Sequence, residues 1–79
     1  MNENYILMTA SWCGPCKVLT SRLAKFNVSV KSVKMEDDPA LFKKYNVKHV
    51  PTLIKLTEDG HSHITGSEDI FQELNNEQA

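Results

Sequence analysis

Apolar residues are distributed along the 79-residue chain in short runs and helical spacings. Tyr5 to Thr9 is a brief apolar run rich in strand formers and bounded by polar residues, which predicts a buried strand. From Pro15 onward, Val18, Leu19, Leu23 and Phe26 are expected on one helical face, with Lys17, Thr20, Ser21 and Arg22 largely elsewhere and a stop at Asn27. Val30, Val33 and Met35 fit a second strand, but the change of phase between Val30 and Val33 leaves its register open.

Asp38-Pro39 marks the next helix start. The aspartate side chain can accept from orphan amides, and proline suits a first-turn position where its missing N–H costs nothing. The helix is expected over Pro39 to Tyr45, ending near Asn46. A third strand is expected over Thr52 to Thr57, and Asp59-Gly60 is a hairpin turn signal leading into His61 to Thr65. Ser67 is the expected cap of a last helix from Glu68 to about Asn75, with Ile70, Phe71 and Leu74 as its apolar face.

The order β-α-β-α-β-β-α follows, without repeats, low-complexity segments or linkers. A right-handed crossover makes the first two strands parallel, and the hairpin makes the last two antiparallel. The expected fold is α/β: one domain spanning residues 1–79, a mixed four-stranded sheet flanked by three helices.

Composition narrows the class. A hydrophobic fraction of 41% and a charged fraction of 24% match an ordinary globular domain. No apolar run approaches the roughly 18 residues of a membrane span. The net charge of -1 has both signs interspersed, so nucleic acid and anionic membranes are not expected partners. Met1-Asn2-Glu3-Asn4 lacks the basic and small-residue features of an export signal, which sets a cytoplasmic expectation. Nothing in the sequence calls for more than a monomer.

The candidate chemistry lies in Trp12-Cys13-Gly14-Pro15-Cys16, which contains both cysteines of the chain. In a cytosolic protein such a pair suggests thiols that cycle, because structural disulfides are rare in that compartment. Only a thiolate attacks a disulfide, and an ordinary cysteine pKa of about 8.5 leaves little of it at neutral pH. Cys13, at the start of the helix, would be stabilised as an anion by free amides and the positive end of the helix dipole, and is the expected nucleophile. Cys16, one turn along and deeper, is the expected resolving thiol. Gly14 and Pro15 set the loop conformation and redox poise, with Pro15 stiffening the turn. Trp12 is expected as a partly exposed wall of a substrate groove.

The stretch from Thr9 to Lys17 resembles the active-site loop of the thioredoxins nearly residue for residue. The cysteine loop, Asp38-Pro39, Val50-Pro51-Thr52 and the terminal hairpin plus helix occur in the order of the thioredoxin and glutaredoxin superfamily. The resemblance implies a minimal thioredoxin fold without the strand and helix that open full-length thioredoxins. It also implies a cis Val50-Pro51 bond packed against the cysteines, with the Val50 backbone binding an extended substrate segment. The implied activity is thiol-disulfide oxidoreduction of protein disulfides, extending to hydrogen donation to a reductive enzyme such as ribonucleotide reductase. The redox-active disulfide would serve without a bound cofactor, drawing electrons from a thioredoxin reductase system or from glutathione.

The chain departs from that pattern in two places. Thioredoxins bury an acid six residues before the first cysteine, where this chain has Leu7; Glu36 and Lys17 are replacements by proximity alone. Glutathione-dependent glutaredoxins, the alternative reading, carry a Gly-Gly pair and an acid near the last helix. Here Thr65-Gly66-Ser67-Glu68-Asp69 keeps one glycine, and Gly66 and Ser67 are the candidate glutathione contacts, at a helix start where a carboxylate could meet free amides. A plain helix cap explains the segment equally well. From another class comes a non-catalytic zinc- or partner-binding module on the same fold, whose zinc site would use the two cysteines with two of His49, His61 and His63. The Trp12 and Gly14-Pro15 signature, and the lack of a second ligand pair at zinc spacing, argue against the metal.

Overall fold

In the computed structural model, which describes residues 4–78, the elements are β1 (Tyr5–Thr9), α1 (Gly14–Lys25), β2 (Lys31–Lys34), α2 (Pro39–Lys44), β3 (Thr52–Thr57), β4 (Gly60–Thr65) and α3 (Ser67–Gln78). The polar start at residues 1–3 lies outside the described residues. The four strands form one sheet in the order β2-β1-β3-β4, with β1 parallel to β2 and the other pairings antiparallel. The expected architecture is therefore present, with β1 and β3 as the central strands.

Every residue of β1 is buried, and strand alternation divides its side chains between two cores. Tyr5 and Leu7 pack with Leu19 and Leu23 of α1, Leu53 of β3, and Ile70, Phe71 and Leu74 of α3. Ile6 and Met8 point the other way and pack with Phe42 of α2, Val47 and Ile54. The sheet is thus covered by α1 and α3 on one face and by α2 on the other. No helix among the described residues is long and apolar enough to cross a membrane.

Two expected core positions lie at the surface. Val18 is 70% exposed, because a helical step of about 100° separates it from Leu19, and Cys16, Leu19 and Leu23 define the buried face. Phe26 caps the C-terminus of α1 and is 53% exposed, its ring edge-on to Phe71 at 5.4 Å. The helix ends where Asn27 enters the left-handed region at φ 58°, as the asparagine suggests.

The register left open in the second strand has a simple resolution. Val33 and Met35 pack against the α2-side core, whereas Val30 precedes β2 and packs against the α1-side core. Asp38 caps α2 as expected, its carboxylate accepting from Leu41 N at 3.1 Å. At the last helix, Ser67 is the first helical residue rather than the cap. Gly66, at φ 90°, precedes it, and its carbonyl accepts from Ile70 N at 3.0 Å. The helix then runs past Asn75 to Gln78.

Candidate functional site

The site forms where β1 ends and α1 begins. Ala10, buried just beyond β1, accepts from Cys13 N at 3.2 Å, and this bond closes the turn that aims α1. Cys13 has extended backbone angles and occupies the N-cap of α1. Its Sγ accepts from Cys16 N at 3.1 Å, so sulfur takes the place of the usual side-chain oxygen at a helix start. Pro15 lies in the first turn, where no intrahelical partner for its nitrogen is needed.

Cys13 and Cys16 form a disulfide with their Cα atoms 5.2 Å apart. Both sulfurs sit in a small cluster with Ala10, against which Met35 and Val50 pack. Cys13 is 7% exposed and Cys16 2%. Trp12 is 65% exposed beside the pair, more open than a core anchor would be.

The segment before β3 also reaches the cysteine pair. The Val50-Pro51 peptide is cis, Pro51 is buried, and the half-buried Val50 packs on the cysteine cluster. Thr52 fixes this turn by donating its hydroxyl to the His49 carbonyl at 2.7 Å. Pairing of Met8 with Thr52, and of Thr52 with Thr65, brings the end of β1, the start of β3 and the end of β4 to one edge of the sheet. Gly66 and then Ser67, the first residue of α3, follow directly from β4 there.

Leu7 is fully buried among Leu19, Leu23 and Leu53, so its position carries packing and no charge. Glu36 reaches the active-site loop, its two carboxylate oxygens each 3.3 Å from Ser11 N. Hydrogen bonding from Ser11 is the main reason its carboxyl lies below the ordinary value, with Lys34 adding a smaller attraction. Lys17 is exposed on α1. The histidines do not gather around the cysteines. His61 and His63 stack on exposed β4 with centroids 5.3 Å apart, and His61 meets Tyr45. Among the described residues, no group of three His, Cys, Asp or Glu side chains is placed to hold a metal ion.

Sequence reasoning missed Ala10 and Met35 as parts of the cysteine cluster. The Met35 N–H bonds to the Thr9 carbonyl at 2.8 Å, extending the β1–β2 pairing by one step. Its alternation with Lys34 was the available signal.

Comparison with known proteins agrees with this geometry. The thioredoxin family model matches residues 2–76. Thioredoxin from Chlamydia caviae is 45% identical over 56 residues, covering 65% of this chain and 54% of that protein. Thioredoxin C-3 from Corynebacterium nephridii is 37% identical over 54 residues, covering 62% of this chain and 37% of its own length. The chain thus spans about half the length, or less, of these curated relatives. Oxidised mitochondrial thioredoxin 3 from Saccharomyces cerevisiae superposes with a TM-score of 0.73 at 23% identity, over 99% of this chain and 82% of that one. With a family match across nearly the whole chain and a disulfide in the Trp-Cys-Gly-Pro-Cys loop, this protein belongs to the thioredoxin family.

Proposed function

We propose that the chain is a thiol-disulfide oxidoreductase that reduces disulfides in other proteins by cycling Cys13 and Cys16 between dithiol and disulfide. The observation that carries this reading is the N-cap position of Cys13, whose Sγ accepts the Cys16 N–H at 3.1 Å. In the reduced protein the same amide and the helix dipole favour a Cys13 thiolate. That thiolate attacks one sulfur of a substrate disulfide and forms a mixed disulfide, and the other substrate sulfur leaves as a thiolate. Cys16, deprotonated, then attacks Cys13 Sγ. The bond to substrate breaks, its electron pair goes to the departing sulfur, and the Cys13–Cys16 disulfide remains. Two electrons pass to substrate, carried by the sulfurs themselves.

Trp12 and the Val50-Pro51 turn flank the pair and are the substrate-binding walls in this reading, with the Val50 backbone available to an extended segment. The protein works as a monomer in the cytoplasm, where the redox poise keeps dithiols reduced. Its acceptors include a reductive enzyme of the ribonucleotide reductase kind. The named relatives, all thioredoxins, support a reductase as the electron source.

The test supplies the oxidised protein with either NADPH and thioredoxin reductase or glutathione and glutathione reductase, following NADPH consumption with a protein disulfide as acceptor. Turnover with the first system is expected. Turnover with glutathione alone would move the function to the glutaredoxin reading, with Gly66 and Ser67 as the place to seek a glutathione contact. Failure of Cys13 to react with any disulfide would overturn both.

A further inference from the structure

The resolving step needs Cys16 as a thiolate, yet the cluster in which its sulfur sits is apolar. Ala10, Cys13, Met35 and Val50 enclose it, and Leu7 is fully buried in the apolar core. One face of Cys16 is different. It borders a groove of about 280 Å³ between α1 and β2, with Lys17 and Thr20 on the helix side and Ser32 and Lys34 on the strand side.

Strand geometry explains how the lysine reaches this groove. Ser32 pairs with Leu7 and Lys34 with Thr9, and alternation puts both on the sheet face covered by α1, opposite to Val33. Lys17, Thr20, Ser32 and Lys34 are all exposed, so the groove opens to solvent.

We propose that this groove is the proton exit for the resolving step, and that Lys17 and Lys34 act as positioning residues that favour the Cys16 thiolate. The inference rests on the oxidoreductase reading above. Cys16 S–H passes its proton through the groove to solvent. The resulting thiolate attacks Cys13 Sγ, the Cys13–substrate bond breaks, and the substrate sulfur leaves with the electron pair and is protonated from solvent. Among the described residues, the charged groups at the groove are Lys17 from α1, Lys34 from β2 and Glu36 from the loop after β2, which reaches Ser11 of its lining, while Cys13, bonded to substrate at this step, is neutral. Met35 and Val50 bring none. Glu36 is engaged with Ser11 and partly offsets Lys34, leaving the groove net positive. A positive field lowers the energy of a nearby thiolate, and ionic strength weakens it where the lysines are exposed.

The experiment uses the full reduced chain and an aromatic disulfide whose released thiolate absorbs visible light, mixed in a stopped flow across pH. Attack by Cys13 releases the first aromatic thiolate, and resolution by Cys16 the second. In Lys17→Gln/Lys34→Gln the midpoint of the second phase should move to higher pH. Its rate below that midpoint should fall by about threefold or more, the size expected for two partly screened charges. Lys17→Arg/Lys34→Arg should restore the wild-type profile, and added salt should shrink the difference. An unchanged second-phase midpoint in the glutamine variant, or failure of arginine to restore it, overturns the inference while leaving the oxidoreductase reading standing. Absence of the first phase from the wild-type chain overturns the reading on which it rests.

Discussion

Tyr5 of the first strand donates its hydroxyl hydrogen bond to Glu73 of the last helix, 68 positions away, and Lys55 Nζ joins the same carboxylate oxygen at 3.3 Å. The contact ties α3 across β1 and β3. Its charges are unevenly poised. Burial, and then the bond to Glu73, push the Tyr5 hydroxyl well above its ordinary pKa, while the same bond and Lys55 hold the Glu73 carboxyl below its own.

Tyr5→Phe should therefore cost about 1.5–3 kcal/mol, the scale of a hydrogen bond to a charged group, read as a lower denaturant midpoint. The pH dependence follows from linkage. Glu73, depressed in the fold, contributes stability that is present above its unfolded value of about 4.3 and lost as pH falls through the folded value. Tyr5, raised in the fold, contributes stability that is present below about pH 10 and lost as pH rises beyond it, because the unfolded tyrosine ionises first. Tyr5→Phe should flatten the alkaline limb and weaken the acid one. An alkaline limb identical to that of the native protein would show that the pair does not carry it.

In the reduced protein Cys13 should titrate below Cys16. Cys13 receives the amide at the helix start, whereas Cys16 lies one turn inside and at 2% exposure. Thiolate absorbance against pH in Cys13→Ser and Cys16→Ser measures each thiol alone. A Cys13 value no lower than that of Cys16 would remove the main reason for its assignment as the nucleophile.

The two serine variants should differ in what they capture. Cys16→Ser leaves attack intact and removes resolution, so a mixed disulfide between Cys13 and substrate persists until an external thiol cleaves it. Cys13→Ser leaves a shielded thiol and should capture nothing. Alkylated extracts run on non-reducing gels should show adducts with Cys16→Ser alone, and adducts only with Cys13→Ser would reverse the roles.

Leu7→Ala should cost about 2–5 kcal/mol, since the removed atoms leave a cavity among Leu19, Leu23 and Leu53. A domain of this size has only a marginal reserve, so the loss is a large part of the whole. Equilibrium unfolding in urea measures it. A loss below 1 kcal/mol would mean that the core closes over the gap.

Much of this protein was legible in local patterns. The run Tyr5 to Thr9, the Asp38-Pro39 start and the Asp59-Gly60 turn each place an element because the governing interactions lie within a few residues. The cysteine loop carries its chemistry the same way, since Cys13 and Cys16 need only one helical turn to meet. What the sequence left undecided depends on partners far along the chain. Val18 and Leu19 are both apolar, and only the packing of α1 on the sheet and α3 selected Leu19 for the core. Val30 and Val33 went to opposite faces once β2 took its register against β1. Glu36 at Ser11 and Glu73 at Tyr5 are contacts of high sequence separation, and Lys34 and Cys16 line one groove from distant parts of the chain. No spacing rule encodes them, because they exist only after strand pairing has brought distant segments together.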